Sequence, residues 1–261
     1  MIVKTRAVVL REIKYRDQSK ICTLFTREFG KITVILKGAR NPKSRLSGKF
    51  SPGSVLDIVL YRKPSREIQL VSEGSLVHSP LTSEPDMERF AAMYRIVDLV
   101  SNAVDGEEKN LPLFELLEGT LEALYRAVNR FDLLVVWFLL HLVSILGFEP
   151  SLLRCVFSGQ EVAPAVESMR LCELLFVMNP GGIALPDAAL RRSAVQRTIS
   201  PEAYRLLCDI GTARLSDLDA LRAGEAETAM LGSLIEEYCS LHLEHAPRKR
   251  NLAVVAQMLS K

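Results

Sequence analysis

The sequence lacks the features of membrane and secreted proteins. It contains no run of about 20 uncharged apolar residues, so no membrane span is expected. Its first six residues lack the apolar region and small-residue cleavage site of a secretory signal. The five cysteines of this 261-residue chain show neither a CxxC pair nor the spacing of a disulfide framework. We therefore expect a cytoplasmic protein with no membrane contact, whose cysteines are mostly small buried hydrophobic residues.

Motifs of common enzyme active sites are also missing. The patterns GxxxxGK[ST], GxGxxG, GxSxG and HExxH do not occur. Of the four histidines, His141 lies in the most apolar segment, where a buried structural side chain is expected. His242 and His245 are three residues apart on a predicted helix, but no acidic or cysteine partner with metal-ligand spacing accompanies them. We expect no catalytic residue, no metal and no cofactor.

Charge is divided unevenly along the chain. Residues 1–80 carry 16 basic and six acidic side chains, a net charge of +10, whereas residues 81–261 carry 17 basic and 25 acidic ones, a net charge of −8. Such a split indicates a small basic module joined to a larger acidic one. The basic module is the candidate for binding a polyanion.

The basic module has the pattern of a small β-barrel. Segments rich in β-branched residues predict five strands, at 2–10, 19–26, 30–38, 54–61 and 67–71. Five short strands with one longer connection suit an OB-fold, and an SH3-like barrel fits almost as well. That connection, 39–50, contains four basic residues and no acidic one, and Pro42 and Gly48 favour a surface loop there.

The pattern becomes helical from about residue 85. Apolar spacing of three and four predicts helices at 86–104, 112–127, 131–146, 201–211, 225–244 and 248–260. The third is apolar on most faces and is expected to be central. The predicted fold is therefore α+β: a small N-terminal β-barrel (OB-fold) over residues 1–80, then an all-helical C-terminal domain over 81–261, irregular at 150–190.

A basic barrel with a Lys/Arg-rich loop suits a phosphate backbone, because each neutralised phosphate releases counterions. Single strands also expose base faces to aromatic side chains. Tyr15, Phe25, Phe50 and Tyr61 are candidates for that contact, and each is equally a candidate for the barrel core.

Several of these segments together resemble the RecO family of recombination mediators. The N-terminal runs are 15–26 (YRDQSKICTLFT), 29–31 (FGK) and 37–40 (KGAR). Later landmarks agree in order: 146–148 (LGF), 154–155 (RC), Phe176 with 181–182 (GG), and His242 near a basic-led final helix. The resemblance spans nearly the whole chain, although the helical part matches mainly by landmarks.

The resemblance implies an N-terminal OB-fold and a helical C-terminal domain. It further implies a recombinational DNA repair mediator that binds single- and double-stranded DNA and anneals complementary strands. Such a protein helps to load recombinase onto strands coated by single-strand-binding protein. The implied partners are DNA, RecR and the acidic C-terminal tail of single-strand-binding protein, and the implied location is the cytoplasm, at the nucleoid.

One departure from the family concerns zinc. Many RecO proteins carry four cysteines in the pattern CxxC…GGxxCxxC. Here Cys155 is followed by Ser158, and Leu185 and Ala188 stand at the two later cysteine positions. Leu and Ala donate no electron pair and a tetrahedral zinc site needs four ligands, so we predict a metal-free segment held by apolar packing.

Site residues are predicted from the loop and the neighbouring strands. For phosphate contacts we predict Arg6, Lys14, Arg16, Lys37, Arg40, Lys43, Arg45 and Lys49. Arg6 and Lys14 are the weaker members because strand direction decides which face they occupy. For the tail of single-strand-binding protein, a basic residue beside an apolar groove is needed, which suggests Arg126 and Arg130.

Two other functions fit the same features. An RNA-binding module would use the same phosphate and stacking contacts. A protein-only adaptor would dock its basic loop on an acidic partner.

Overall fold

The computed structural model describes residues 1–79, 86–186 and 195–244. The predicted helix 248–260, His245 and Ala188 lie outside these ranges. The N-terminal strands are β1 (Ile2–Tyr15), β2 (Ser19–Thr26), β3 (Gly30–Leu36), β4 (Val55–Tyr61) and β5 (Ile68–His78).

These five strands close into a barrel in the order β1-β2-β3-β5-β4. β3 and β5 run parallel, whereas β1 pairs antiparallel with both β2 and β4. This order is that of an OB-fold, which decides against the SH3-like alternative. Alternate residues along the strands fill the interior, among them Val9, Leu24, Val34 and Ile58.

Six α-helices and one 3-10 helix are seen in the described part of the second domain. They are α1 (Met87–Ala103), α2 (Leu111–Arg126), α3 (Phe131–Ile145), α4 (Val162–Met169), α5 (Pro201–Thr212), the 3-10 helix (Leu215–Ala220) and α6 (Glu225–Glu244). Polar caps start three of them: the side chains of Asp86, Asn110 and Ser200 each accept a hydrogen bond from a backbone N–H three residues later.

Helix α3 is the centre of this domain, as its composition predicts. Eleven of its fifteen residues are buried, and it packs against α1, α2, α5 and α6. A helix that is apolar on nearly every face is stable in water only when other elements surround it. The predicted fold class, a barrel followed by a helical domain, is confirmed.

The helical domain carries in addition a small sheet that the sequence did not predict. Strands β6 (Leu174–Val177), β7 (Gly182–Ala184) and β8 (Gln196–Ile199) pair antiparallel in the order β7-β6-β8. They lie in and just after the segment expected to be irregular. Strands of three or four residues, buried on both faces in β7, are too short to show a period of two.

The barrel and the helices share one apolar core. Val8, Leu10, Phe25 and Val55 of the barrel belong to the same buried cluster as the helices. The rings of Phe25 and Phe114 lie 5.8 Å apart, centroid to centroid. Leu10 lies on the same face of β1 as Val8 and belongs with it to the helical core, and a β-bulge between Val9 and Arg11 leaves Leu10 without a partner in β2.

Opposite charges surround this shared core. Four basic side chains of the barrel pair with carboxylates of the helical domain. The pairs are Arg6–Glu118 (3.0 Å), Arg27–Glu115 (2.8 Å), Lys31–Asp105 (3.9 Å) and Arg62–Glu107 (2.7 Å). The acidic domain thus neutralises one side of the basic barrel.

The backbones of the two domains also meet closely at Gly30. This glycine has a φ of 64°, and an added Cβ would collide with the backbone of Glu108. The next residue, Lys31, donates its N–H to the carbonyl oxygen of Gly106 at 3.1 Å. Only glycine meets both the conformational and the spatial requirement here.

We expect Gly30→Ala to lower the free energy of unfolding by about 2–5 kcal/mol, from left-handed strain plus steric overlap. Gly38→Ala is the matched control, because its φ is 71° but nothing lies within 4 Å of an added Cβ. Gly38→Ala should lower the free energy of unfolding by only about 1–2 kcal/mol. Urea denaturation of both variants measures the difference. Equal losses would show that the approach of the two domains at Gly30 is not tight.

Candidate nucleic-acid interface

One end of the barrel brings together two basic segments that are far apart in sequence. The turn after β1 and the loop after β3 meet there: Arg40 donates its backbone N–H to Gln18 (3.1 Å) and its guanidinium to the carbonyl oxygen of Arg16 (2.9 Å). Lys14 lies at the same end because it pairs with Lys20, which pairs with Leu36 at the end of β3. Lys37 directly follows Leu36 in the sequence, so it lies at this end as well.

The loop after β3 is folded onto the barrel. Successive turns form hydrogen bonds from the N–H of Asn41 to Gly38 (2.9 Å) and from the N–H of Ser44 to Asn41 (2.9 Å). Leu46 and Phe50 anchor the loop in the barrel core. The backbone is therefore held in place while the side chains of Lys43 and Arg45 remain exposed.

These residues form a cationic rim, which we define as Lys14, Arg16, Lys37, Arg40, Lys43 and Arg45. All six are exposed, and none pairs with a carboxylate within the part of the chain that the structure describes. The guanidinium of Arg16 lies 5.3 Å from the ring centroid of Tyr15. Six of the eight predicted phosphate contacts thus lie together with their charge uncompensated.

The other two predicted contacts are engaged elsewhere. Arg6 makes a bidentate pair with Asp57 (2.8 and 2.9 Å) and a third hydrogen bond to Glu118 (3.0 Å). These bonds raise the pKa of Arg6, and the bond from Arg6 lowers the pKa of Asp57. Lys49 donates to the carbonyl oxygen of Gly74 (3.0 Å). Arg6 is compensated by carboxylates and Lys49 is half-buried, whereas Arg40 stays exposed although it also donates to a carbonyl oxygen, so Arg6 and Lys49 are not counted in the rim.

Of the four aromatic residues that could contact a base, two are buried and two are at least partly exposed. Phe25 and Phe50 are buried in the two cores and cannot meet a base. Tyr61 is 44% exposed on β4, and Tyr15 is half-buried beside the rim. The sequence could not separate them, because burial of an aromatic residue depends on which face of its strand meets the helical domain.

Arg126 and Arg130, the predicted partner-binding residues, differ in their surroundings. Arg130 is occupied: its guanidinium donates to the carbonyl oxygens of Asp219 (2.9 Å) and Leu221 (2.7 Å) at the end of the 3-10 helix. Arg126 is 74% exposed and pairs with Glu122 at 2.6 Å. It lines an open groove with Arg214 and three leucines, Leu134, Leu215 and Leu218.

The segment that contains Cys155 has only one of the four cysteines of the family's zinc pattern, so it does not offer zinc its usual donors. Cys155 is buried, and its sulfur accepts a hydrogen bond from the N–H of Leu185 at 3.4 Å. Burial raises the pKa of the Cys155 thiol, but hydrogen bonds from Ser158 and from backbone N–H groups outweigh it and lower the pKa overall. Within the described ranges, no group of three or more His, Cys, Asp and Glu side chains is arranged to hold a metal. One thiol does not make a tetrahedral zinc site.

Two of the three histidines with described side chains, His141 and His242, contact backbone carbonyl groups. The Nδ1 of His141 lies 2.8 Å from the carbonyl oxygen of Trp137. His242 stacks on Phe148 with ring centroids 5.0 Å apart, and its Nε2 lies 3.1 Å from the carbonyl oxygen of Met178. Among the described residues, no helix is long and apolar enough to cross a membrane.

Together these observations define a class of protein: an OB-fold barrel with an exposed cationic rim, joined through a shared core to a helical domain. Sequence comparison identifies the family. Residues 1–80 match the family "Recombination protein O N terminal" and residues 84–251 match "Recombination protein O C terminal". The chain belongs to the RecO family of DNA repair proteins.

Curated relatives agree with this assignment over their full length. The "DNA repair protein RecO" of Chlorobium limicola is 69% identical, and that of Pelodictyon phaeoclathratiforme is 58% identical, each over 100% of both chains. That of Chloroherpeton thalassium is 30% identical over 99% of this chain and 100% of its own. The resemblance stated from the sequence is confirmed, and with it a role in DNA repair.

We expect the protein to contain far less than one equivalent of zinc after purification without added metal, because only Cys155 remains of the four ligand positions. Elemental analysis measures the content, and thermal unfolding with and without a chelator should give the same midpoint. A zinc content near one equivalent, lost together with stability on chelation, would contradict this prediction.

Proposed function

We propose that this protein is a recombination mediator that binds single- and double-stranded DNA through the cationic rim. It anneals complementary strands and helps to load recombinase onto strands coated by single-strand-binding protein, without catalytic chemistry of its own. The observation that carries the proposal is the cluster of six exposed, uncompensated cations at one end of the OB-fold barrel. Its place of action would be the nucleoid, in the cytoplasm.

Uncompensated charge matters because affinity for a phosphate backbone comes from released counterions. A cation that already faces a carboxylate, such as Arg6 or Arg27, gains little from a phosphate. The rim residues have no such partner among the described residues, so each can neutralise a phosphate. The folded loop lowers the conformational cost of presenting Lys43 and Arg45 together.

Annealing follows from the same surface. Two complementary strands repel each other through their phosphates. A rim that neutralises the backbones reduces this repulsion and raises the local concentration of strands, while base edges stay free to pair. Base pairing then supplies the free energy, so no hydrolysis is required.

The helical domain suits protein partners better than DNA because its net charge is negative. The groove beside Arg126 combines leucine side chains with Arg126 and Arg214, and it also contains Glu122 and Asp219. Because Glu122 pairs with Arg126, a tail carboxylate has to displace Glu122 there, whereas Arg214 has no such partner among the described residues. An acidic tail that ends in a hydrophobic residue and a carboxylate, as in single-strand-binding protein, needs apolar and basic side chains together. We assign the tail to this groove, and RecR remains the second proposed partner.

The rival functions make different predictions. An RNA-binding module would prefer RNA to single-stranded DNA of the same sequence. A protein-only adaptor would bind neither nucleic acid at low salt. Competition between the two nucleic acids on the wild-type protein separates these cases.

Charge reversal at the rim should strongly weaken DNA binding. We expect Arg40→Glu/Lys43→Glu/Arg45→Glu to weaken affinity for single-stranded DNA by roughly two orders of magnitude at low salt. In a plot of the logarithm of the association constant against the logarithm of the salt concentration, the slope should become less steep by about 2. Fluorescence anisotropy of a labelled strand, titrated across salt, measures both quantities, and a strand-pairing assay should show parallel loss of annealing.

The control carries the same charge change on the helical domain: Lys109→Glu/Arg205→Glu/Arg222→Glu, three exposed positions. It should bind DNA within about twofold of wild type at moderate salt, because distant charges are screened. Equal losses in both triple variants would refute a localised site. Absence of wild-type binding at low salt would leave the protein-only adaptor as the better account.

The groove assignment is tested separately. Arg126→Glu should weaken binding of an acidic peptide with a C-terminal hydrophobic residue by about tenfold or more, since it places a carboxylate beside that of the ligand. Arg222→Glu, with the same charge change away from the groove, is the control. Calorimetric titration measures both, and an unchanged affinity in Arg126→Glu would rule out this groove as the site.

A further inference from the structure

One carboxylate at the edge of the groove beside Arg126 faces both domains. The Oε1 atom of Glu122 lies 2.6 Å from a guanidinium nitrogen of Arg126 and 3.9 Å from the Nε2 atom of His78. Glu122 and Arg126 are one turn apart on α2, whereas His78 is the last residue of β5 in the barrel. A single oxygen atom of Glu122 therefore links the groove to the barrel.

The position of His78 relative to Glu122 is held by contacts between the barrel and α2. His78 pairs with Val55 at the start of β4. Two residues before Val55, the carbonyl oxygen of Gly53 accepts a hydrogen bond from the hydroxyl of Tyr125 on α2, at 2.6 Å. The backbone of α2 is thus tied to the part of the barrel that carries His78.

The three side chains differ in their exposure to solvent. The side chain of Arg126 is 74% exposed, whereas those of Glu122 and His78 are 35% and 26% exposed. An ion pair with an exposed arginine is weak, because water and salt compete for both charges. Arg126 is therefore the partner that can leave Glu122, whereas His78 stays beside it.

The groove has no net charge to attract an acidic ligand. Arg126 and Arg214 line it, and Glu122 and Asp219 line it as well. An incoming carboxylate meets two positive and two negative groups, so it gains little unless Glu122 moves away from Arg126. His78 is not among the residues that line the groove, so it acts on a ligand only through Glu122.

From this geometry we propose that Glu122 is a built-in competitor of acidic ligands and that His78 regulates it. While His78 is neutral, Glu122 pairs with Arg126 and occupies the cation that the ligand needs. A protonated His78 attracts the same carboxylate from the barrel and leaves Arg126 free for a carboxylate of the ligand. The inference rests on the proposed function, because it assumes that the groove receives an acidic tail.

His78 supplies a charge that depends on pH, because histidine is the side chain that ordinarily changes its charge between about pH 5 and 8. Within the described residues, the charged group that faces it is Glu122, with Arg126 one turn further along α2. Tyr125 uses its hydroxyl on the barrel backbone, and Val55 beside His78 is apolar. Protonation strengthens the attraction of His78 for Glu122, so affinity for an acidic ligand should rise as the pH falls.

The competitor role is tested by calorimetric titration of the full chain with an N-acetylated peptide of four aspartates and a C-terminal phenylalanine. Glu122→Gln keeps the size of the side chain and removes its charge, so it should tighten binding about three- to fivefold near pH 8. Glu167→Gln, the same change at an exposed position of α4, is the matched control. It should bind the peptide as the wild type does, because it does not line the groove.

The regulatory role is tested by the pH dependence of the same titration. From about pH 8 to about pH 6, the wild-type affinity should rise roughly two- to threefold, and Glu122→Gln and His78→Gln should show no such rise. Carboxylates ordinarily take up protons only near pH 4, so the peptide keeps its charge in this range. His78→Lys carries a permanent charge and should bind near pH 8 as the wild type does near pH 6. Thermal unfolding checks that each variant is folded.

Each part of the inference can fail separately. Binding by Glu122→Gln that is no tighter than wild-type binding would show that Glu122 is not a competitor. A pH response that persists in His78→Gln, or is absent from the wild type, would remove His78 from control of the groove. Absence of wild-type peptide binding, or unchanged affinity in Arg126→Glu, would instead overturn the groove assigned in the proposed function, and the inference with it.

Discussion

The pairing of opposite charges between the two domains determines which part of the barrel is available. Arg27, Lys31 and Arg62 face carboxylates of the helical domain around a core that includes Phe25 and Phe114. Each such pair is individually weak, so apolar burial supplies most of the stability and the charges supply orientation. Because the acidic domain covers this side, the opposite ends of β1, β2 and β3 keep their cations free.

The division between paired and unpaired cations decides how much of the barrel's net charge is available to a ligand. A value of +10 overstates the charge available to a ligand, because several cations are already neutralised. Burial lowers the pKa of Lys31, a sign that the junction withdraws its ammonium from solvent. The charge that stays unpaired among the described residues is concentrated on the cationic rim.

In the segment where the family pattern has four cysteines, packing and hydrogen bonds around Cys155 hold the chain. Leu185 is buried at one former ligand position, and its N–H points to the sulfur of Cys155, the ligand that remains. The short strands β6, β7 and β8 tie the surrounding backbone together. Side-chain packing and backbone pairing are therefore the constraints that the described residues show in this segment.

The sequence by itself determined the barrel, the helical domain and the family, because strand and helix periods, charge and motifs are local properties. Only the tertiary structure brought six of the eight predicted cations together, since the turn after β1 and the loop after β3 are far apart in the chain. The sequence assigned Arg6 and Lys49 to phosphates and Arg130 to a partner, whereas the tertiary structure places all three in contacts within the fold. The sequence also could not show that Ile13, Ile21, Ile35 and Leu70 pair with one another, since they become neighbours only through strand register. Which face of a strand meets solvent depends on what packs against the other face, and that is decided only when the domains come together.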